Sequence, residues 1–308
     1  MSDLLALFET GFFTTGLRLG VLALALGWAV RFATGRYRPA MPIAGLLIAI
    51  ATIGGLYLVA EPLGPAVPAL AAIAFGVLIV RLTRAPAWVQ ILAAVPGSVW
   101  LGFGATVTDL TWVRVLMAVL IPVGGFLIND FETRNQRLGL GVIYFTLAVL
   151  GTFAAVPDTE QALVLMAVAM PITLLAWPKV AVSLGTEGSF VAVGVLLWVA
   201  AAGGGGRPPS IAGSAACLGL LLLEPIIFRL HPGTANLVNR VKQNWLGAVV
   251  ASIPQFMLVV ICSRIAARFD NMLPAIVIIL VGYLLAILSG VYLGSRNQEP
   301  SEPARSPF

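Results

Sequence analysis

The polar side chains best suited to chemistry fall into three short segments between long apolar stretches. In the first segment, Asp130 and Glu132 stand two positions apart at the end of an apolar stretch. Mg²⁺ binds carboxylates together with phosphate oxygens, so this pair could hold the metal beside a phosphate. The alternative is a solvated loop with ordinary ion pairs, which the spacing alone favours.

The second segment is a glycine-rich turn that precedes another apolar stretch. Gly185 and Gly188 permit a tight turn, and Ser189 could cap the helix that follows. Free N–H groups and the dipole at such a helix start attract anions, which predicts a phosphate site there that includes Lys179. Glu187 either binds a metal or favours the helix start.

The third segment supplies the remaining candidates for phosphate contacts: His231, Arg240 and Lys242. His231 is the only histidine, which excludes a metal cluster of several histidines. Arg240 and Lys242 either contact a diphosphate or are basic loop residues without a ligand. Inside an apolar stretch, Glu224 is a candidate functional residue, because ionisable groups at membrane depth are costly; it could instead pair with Arg229.

The elements that must position these residues are predicted to be membrane-spanning helices. Hydrophobic residues make up 59% of the 308, charged residues 10%, and the mean hydropathy is +1.00. A bilayer span needs roughly 20 apolar residues. About eleven stretches qualify: 12–32, 41–60, 65–80, 87–105, 110–128, 138–156, 161–178, 188–203, 210–229, 246–266 and 272–294. We therefore expect an all-α, multi-pass helix bundle over residues 1–294, followed by a disordered cytoplasmic tail over 295–308.

The basic residues predict the orientation of this bundle. Of the 18 Lys and Arg residues, thirteen fall in every second gap or in the tail: Arg31, Arg36, Arg38, Arg81, Arg84, Arg134, Arg137, Lys179, Arg229, Arg240, Lys242, Arg296 and Arg305. Because basic loops stay in the cytoplasm, the N-terminus should face out and the C-terminus in. The net charge of +5 thus indicates contact with the bilayer rather than with nucleic acid. Cys217 and Cys262 lie in apolar spans and are interpreted as packing residues.

Five segments, in order, resemble the polyprenyl-phosphate N-acetylhexosamine-1-phosphate transferases, called glycosyltransferase family 4. The most specific is Pro178-Lys-Val followed by Leu184-Gly-Thr-Glu-Gly-Ser189, which is similar to the family's Pro-Ala-Lys-x-Phe-x-Gly-Asp-x-Gly-Ser motif. The others are Arg38 to Leu46, Pro86 to Ala94, Phe126 to Asp130 with Gly139 to Val142, and the surroundings of His231.

The resemblance implies a bundle of ten or eleven spans in a bacterial inner membrane, with a cytoplasmic site for polyprenyl-phosphate and a UDP-sugar. In an active enzyme, Asp130 and Glu187 would be catalytic, and both would join Glu132 in holding Mg²⁺. The family's aspartate pair, however, falls on Ile79 and Val80, and its metal-binding aspartate falls on Thr186. Losing carboxylates removes both metal ligands and charge compensation, so the sequence leaves open whether the protein is an enzyme.

The alternative is a catalytically inactive relative that serves envelope glycan synthesis as a partner, regulator or lipid-handling subunit, alone, as a homodimer or with another membrane protein. A weaker resemblance links Asn129-Asp130 to the Asn-Asp-x-x-Asp motif of membrane aromatic prenyltransferases, but Thr133 replaces the third acid. A transporter is not favoured, because we see no internal repeat and only Glu224 as a coupling group.

Overall fold

The computed structural model describes residues 66–105, 108–134, 140–155, 184–230 and 245–296, together with Ala169 and isolated positions between Gly11 and Ala25. The predicted spans 41–60 and 161–178 lie outside these residues, apart from Ala169, as does most of the span 12–32. Of the predicted tail over 295–308, residues 297–308 lie outside them as well, whereas Ser295 and Arg296 belong to the last helix.

Every described element is helical, and no strand occurs in the described ranges. The α-helices are α1 (Ala66–Leu82), α2 (Val89–Val99), α3 (Thr111–Arg134), α4 (Leu140–Ala155), α5 (Gly185–Gly203), α6 (Pro208–Leu230), α7 (Trp245–Ala266) and α8 (Met272–Arg296). A π-helical turn, Trp100–Gly104, extends α2. Each helix coincides with one predicted span, which confirms the all-α prediction for this part of the chain.

Helix α5 lies at the centre of the described bundle. It packs against α1, α3, α4 and α6, and every residue from Glu187 to Ala201 is buried. The helix is apolar on all sides, which is the pattern expected of a helix enclosed by others. Helix α3 approaches it closely because Gly125 lies against Phe190, where a Cβ atom would meet the Phe190 Cα at 2.8 Å.

The outer surface of the bundle is apolar. On α8, Leu273, Leu280 and Leu284 are exposed, and similar side chains are exposed on α1, α2 and α3. Soluble proteins rarely expose apolar patches of this extent. Among the described helices, three are long and apolar enough to cross a membrane, at Thr111–Thr133, Gly185–Gly203 and Met272–Ser289. Their length and composition suggest a membrane protein.

Candidate functional site

A salt bridge joins the end of α1 to the beginning of α5. Arg81 Nη1 lies 2.8 Å from Glu187 Oε2. The Glu187 side chain is fully buried, whereas the Arg81 side chain keeps 24% of its surface exposed. A buried carboxylate needs such a partner, because an unpaired charge in an apolar interior is strongly unfavourable. The first turn of α5 is thereby fixed to α1.

The carboxylate of Glu132, on the last turn of α3, caps the start of α5. The backbone N–H of Leu184 donates to its Oε1 at 3.1 Å, and that of Gly185 donates to its Oε2 at 3.2 Å. A carboxylate is well suited to this place, since helix N-termini carry unsatisfied N–H groups and a partial positive charge. The amide of Gly185, which was predicted to attract phosphate, thus binds the chain's own carboxylate, as does the amide of Leu184 before it.

The turn before α5 differs in one respect from the sequence-based expectation. Gly185 has φ 66, a conformation that favours glycine, and the helix begins at this residue rather than at position 188. Ser189 therefore lies inside the helix, where its hydroxyl donates to the carbonyl of Gly185 at 2.7 Å. The prediction that Ser189 caps the helix was wrong, because the capping groups come from Glu132.

Helix α3 extends to Arg134, six residues beyond its predicted end at 128. Asp130 and Glu132 therefore lie on a helix rather than in a loop, and residues two apart on a helix point to different faces. Glu132 is buried against α5, while Asp130 is half-buried. One turn earlier, Asn129 Nδ2 donates to Gln90 Oε1 at 3.1 Å, which ties α3 to the start of α2.

These contacts gather Arg81, Gln90, Asn129, Glu132 and Glu187 at one end of the bundle, which we call the polar end. Three of the five segments that carry the family resemblance meet there: the one around Gln90, the one ending at Asp130, and the turn from Leu184 to Ser189. Sequence separations of 39 to 106 residues are bridged by these bonds.

A second set of polar contacts lies at the opposite ends of the same helices. Arg114 pairs with Asp109 at 2.9 Å, and Arg207 pairs with Asp270 at 2.9 Å. Trp198 donates its indole N–H to the carbonyl of Ala105 at 3.2 Å. Helices α3 and α5 thus carry polar contacts near both ends with an apolar middle, as expected for helices that cross a bilayer.

The carboxylates of the polar end do not fit a Mg²⁺ site as they are arranged. Both oxygens of Glu132 accept backbone hydrogen bonds, and the Arg81 guanidinium beside Glu187 would repel a dication. Glu187 Oε1 is buried and accepts no hydrogen bond from the described residues. In that part of the chain, no three His, Cys, Asp or Glu side chains are placed to share a metal.

Five predicted site residues have side chains outside the part of the protein that the structure describes. Lys179, His231, Arg240 and Lys242 lie outside the described residues. Glu224 belongs to α6 by its backbone, but its side chain is not among those described. The predicted roles of these five residues stay predictions.

Sequence reasoning missed two residues of the polar end. Arg81 was interpreted as an ordinary basic loop residue, and Gln90 only as part of a resembling segment. The signal that could have found Arg81 is its gap between spans. Because successive spans alternate in direction, alternate gaps lie at the same end of the bundle, and Arg81 shares that end with Glu132 and Glu187. Which acid it would meet depends on helix packing, which spacing does not give.

Comparison with known proteins does not assign the chain to a family. No protein-family model, no curated protein and no solved structure matches the chain.

Proposed function

We propose that the protein is a multi-pass protein of the bacterial inner membrane that engages polyprenyl-phosphate without transferring sugar phosphate. In this proposal it has about eleven spans, with the N-terminus outside and the C-terminus inside. It would serve envelope glycan synthesis as a noncatalytic partner or lipid-handling subunit.

The noncatalytic proposal rests on one observation: two of the acids that could hold Mg²⁺ are already bonded to other groups of the protein. Glu132 caps α5, and Glu187 pairs with Arg81. Phosphoryl transfer on Mg²⁺ needs carboxylates that are available to the metal. Here the two carboxylates bind backbone N–H groups and a guanidinium. In doing so they join α1, α3 and α5 to one another.

The lipid assignment is supported by the assembly of the polar end. Three segments that resemble the transferase family are far apart in sequence but adjacent at this end, where helices end at the proposed cytoplasmic face. A phosphate headgroup lies at that depth when its prenyl chain lies in the bilayer. A second candidate function is an active sugar-phosphate transferase in which Asp130 is catalytic. It is favoured by the same observation, that three resembling segments meet at the polar end.

An activity assay separates the two candidates. The purified protein is incubated with Mg²⁺, polyprenyl-phosphate and UDP-N-acetylhexosamines, and release of uridine monophosphate is measured. We expect no release above protein-free vesicles. Release that Asp130→Ala or Glu187→Ala abolishes, and that the exposed neighbour variant Thr133→Ala retains, would overturn the noncatalytic proposal and establish the transferase.

A further inference from the structure

The turn between α1 and α2 combines a strained basic residue with exposed apolar side chains. Arg84 has φ 54, and it is the one non-glycine residue with positive φ in the described part of the chain. Left-handed backbone costs a residue with a Cβ about 1–2 kcal/mol relative to ordinary conformations. This conformation ends α1 as a left-handed C-cap, a position where glycine is the usual residue.

The backbone of this turn is well bonded, so its conformation is fixed. The N–H of Arg84 donates to the carbonyl of Arg81 at 3.2 Å, and the N–H of Ala85 donates to that of Val80 at 3.2 Å. The hydroxyl of Thr83 donates to the carbonyl of Ile79 at 3.0 Å. The Arg84 side chain is exposed and makes no ion pair with any described residue.

Two exposed apolar stripes run up to the turn. On α1, Phe75, Ile79 and Leu82 are spaced four and three residues apart and share one helix face. On the α2 side the stripe consists of Trp88, Leu92, Val95 and Val99, with the same helical spacing. Leu82 is 71% and Trp88 58% exposed, so the apolar surface continues to the level of Arg84.

We propose that this turn docks the headgroup of an anionic membrane lipid, with Arg84 bound to the lipid phosphate and the acyl chains lying on the α1 and α2 stripes. Charge complementarity selects this occupant. An arginine fork matches phosphate oxygens, and the neighbouring Arg81 offsets the only described acid beside it, Glu187. An exposed tryptophan at the same level suits the boundary between headgroups and acyl chains. This proposal extends the proposed function from polyprenyl-phosphate to other anionic lipids at the same end of the bundle, and its test with phosphatidylglycerol does not depend on binding of polyprenyl-phosphate.

Arg84→Gly separates lipid binding from folding. Glycine relieves the left-handed conformation and removes the charge, so this variant should melt no lower than the unaltered protein. The purified protein in detergent is titrated with phosphatidylglycerol and with phosphatidylcholine, and bound lipid is counted by native mass spectrometry. One basic residue near a membrane surface contributes a factor of roughly five in affinity for anionic lipid.

We expect Arg84→Gly to lose about that factor for phosphatidylglycerol, with phosphatidylcholine unchanged, and Arg84→Lys to lose less, because lysine keeps the charge but not the fork. The matched control is Arg268→Gln, an exposed arginine in the turn between α7 and α8. Equal binding by Arg84→Gly and the unaltered protein, or an equal loss in Arg268→Gln, would overturn the proposal. Competition by inorganic phosphate alone would also overturn it, since the site would then bind free anions rather than a lipid.

Discussion

The guanidinium of Arg81, at the end of α1, lies 2.8 Å from the carboxylate of Glu187, in the first turn of α5. The two partners differ in their surroundings, because Glu187 is fully buried while Arg81 is 24% exposed. Removing Arg81 should therefore change the stability of the protein by a different amount than removing Glu187.

Arg81→Gln should destabilise the protein more than Glu187→Gln. The first variant leaves a buried carboxylate without its cation, a loss on the order of 3–5 kcal/mol. The second leaves an arginine that can still reach solvent. Thermal unfolding in detergent measures both, and the double variant should be less destabilised than the sum of the two. Additive effects would contradict the ion pair.

Glu132→Ala should loosen the start of α5. The lost carboxylate cap should cost about 1–2 kcal/mol, and Glu132→Gln should cost less, because its amide oxygen still accepts one hydrogen bond. Amide hydrogen exchange over residues 184–189 reports the change directly. Thr133→Ala, an exposed neighbour on α3, is the control and should leave that exchange unaltered.

Adjacent glycines on α3 should tolerate alanine differently. A Cβ at Gly125 would meet the Cα of Phe190 at 2.8 Å, whereas a Cβ at Gly124 would meet the Leu222 Cδ2 at 3.2 Å, which can move. Gly125→Ala should thus cost roughly 1–3 kcal/mol and Gly124→Ala less, as judged by melting temperature. Equal melting temperatures for the two variants would contradict the close packing of α3 on α5.

The charge pattern predicts which turns face the cytoplasm. In a protein whose Cys217 and Cys262 are replaced by alanine, a cysteine at Arg84 should react with a membrane-impermeant maleimide only after the cells are opened. A cysteine at Arg268, in the turn between α7 and α8, should react in intact cells. The reverse result would refute the proposed orientation.

The helices were predictable from the sequence because apolar length alone marks a span. All eight described α-helices fall on predicted spans, and most boundaries agree within three residues. The end of α2 agrees once its π-helical turn to Gly104 is included, and the end of α3 is the exception. Five of its last six residues are polar, which predicts a loop, but the bonds of Asn129 to Gln90 and of Glu132 to the start of α5 hold this segment in the helix.

The candidate site was predictable only in outline. Alternation of charged gaps indicated that Arg81, Glu132 and Glu187 share one end, and the described contacts bring them together there. Their roles depend on helix rotation, which sequence spacing does not specify. Helical geometry separates Asp130 from Glu132. Capping by Glu132 occupies the amide of Gly185, one of those that the glycine turn was expected to offer to phosphate.

Binding of polyprenyl-phosphate tests the functional proposal most directly. Native mass spectrometry of the purified protein should compare polyprenyl-phosphate with the polyprenol of the same length. We predict retention of the phosphorylated lipid in clear preference to the alcohol, in the absence of UDP-sugar and Mg²⁺. Equal retention of both lipids, or retention of neither, would contradict the account.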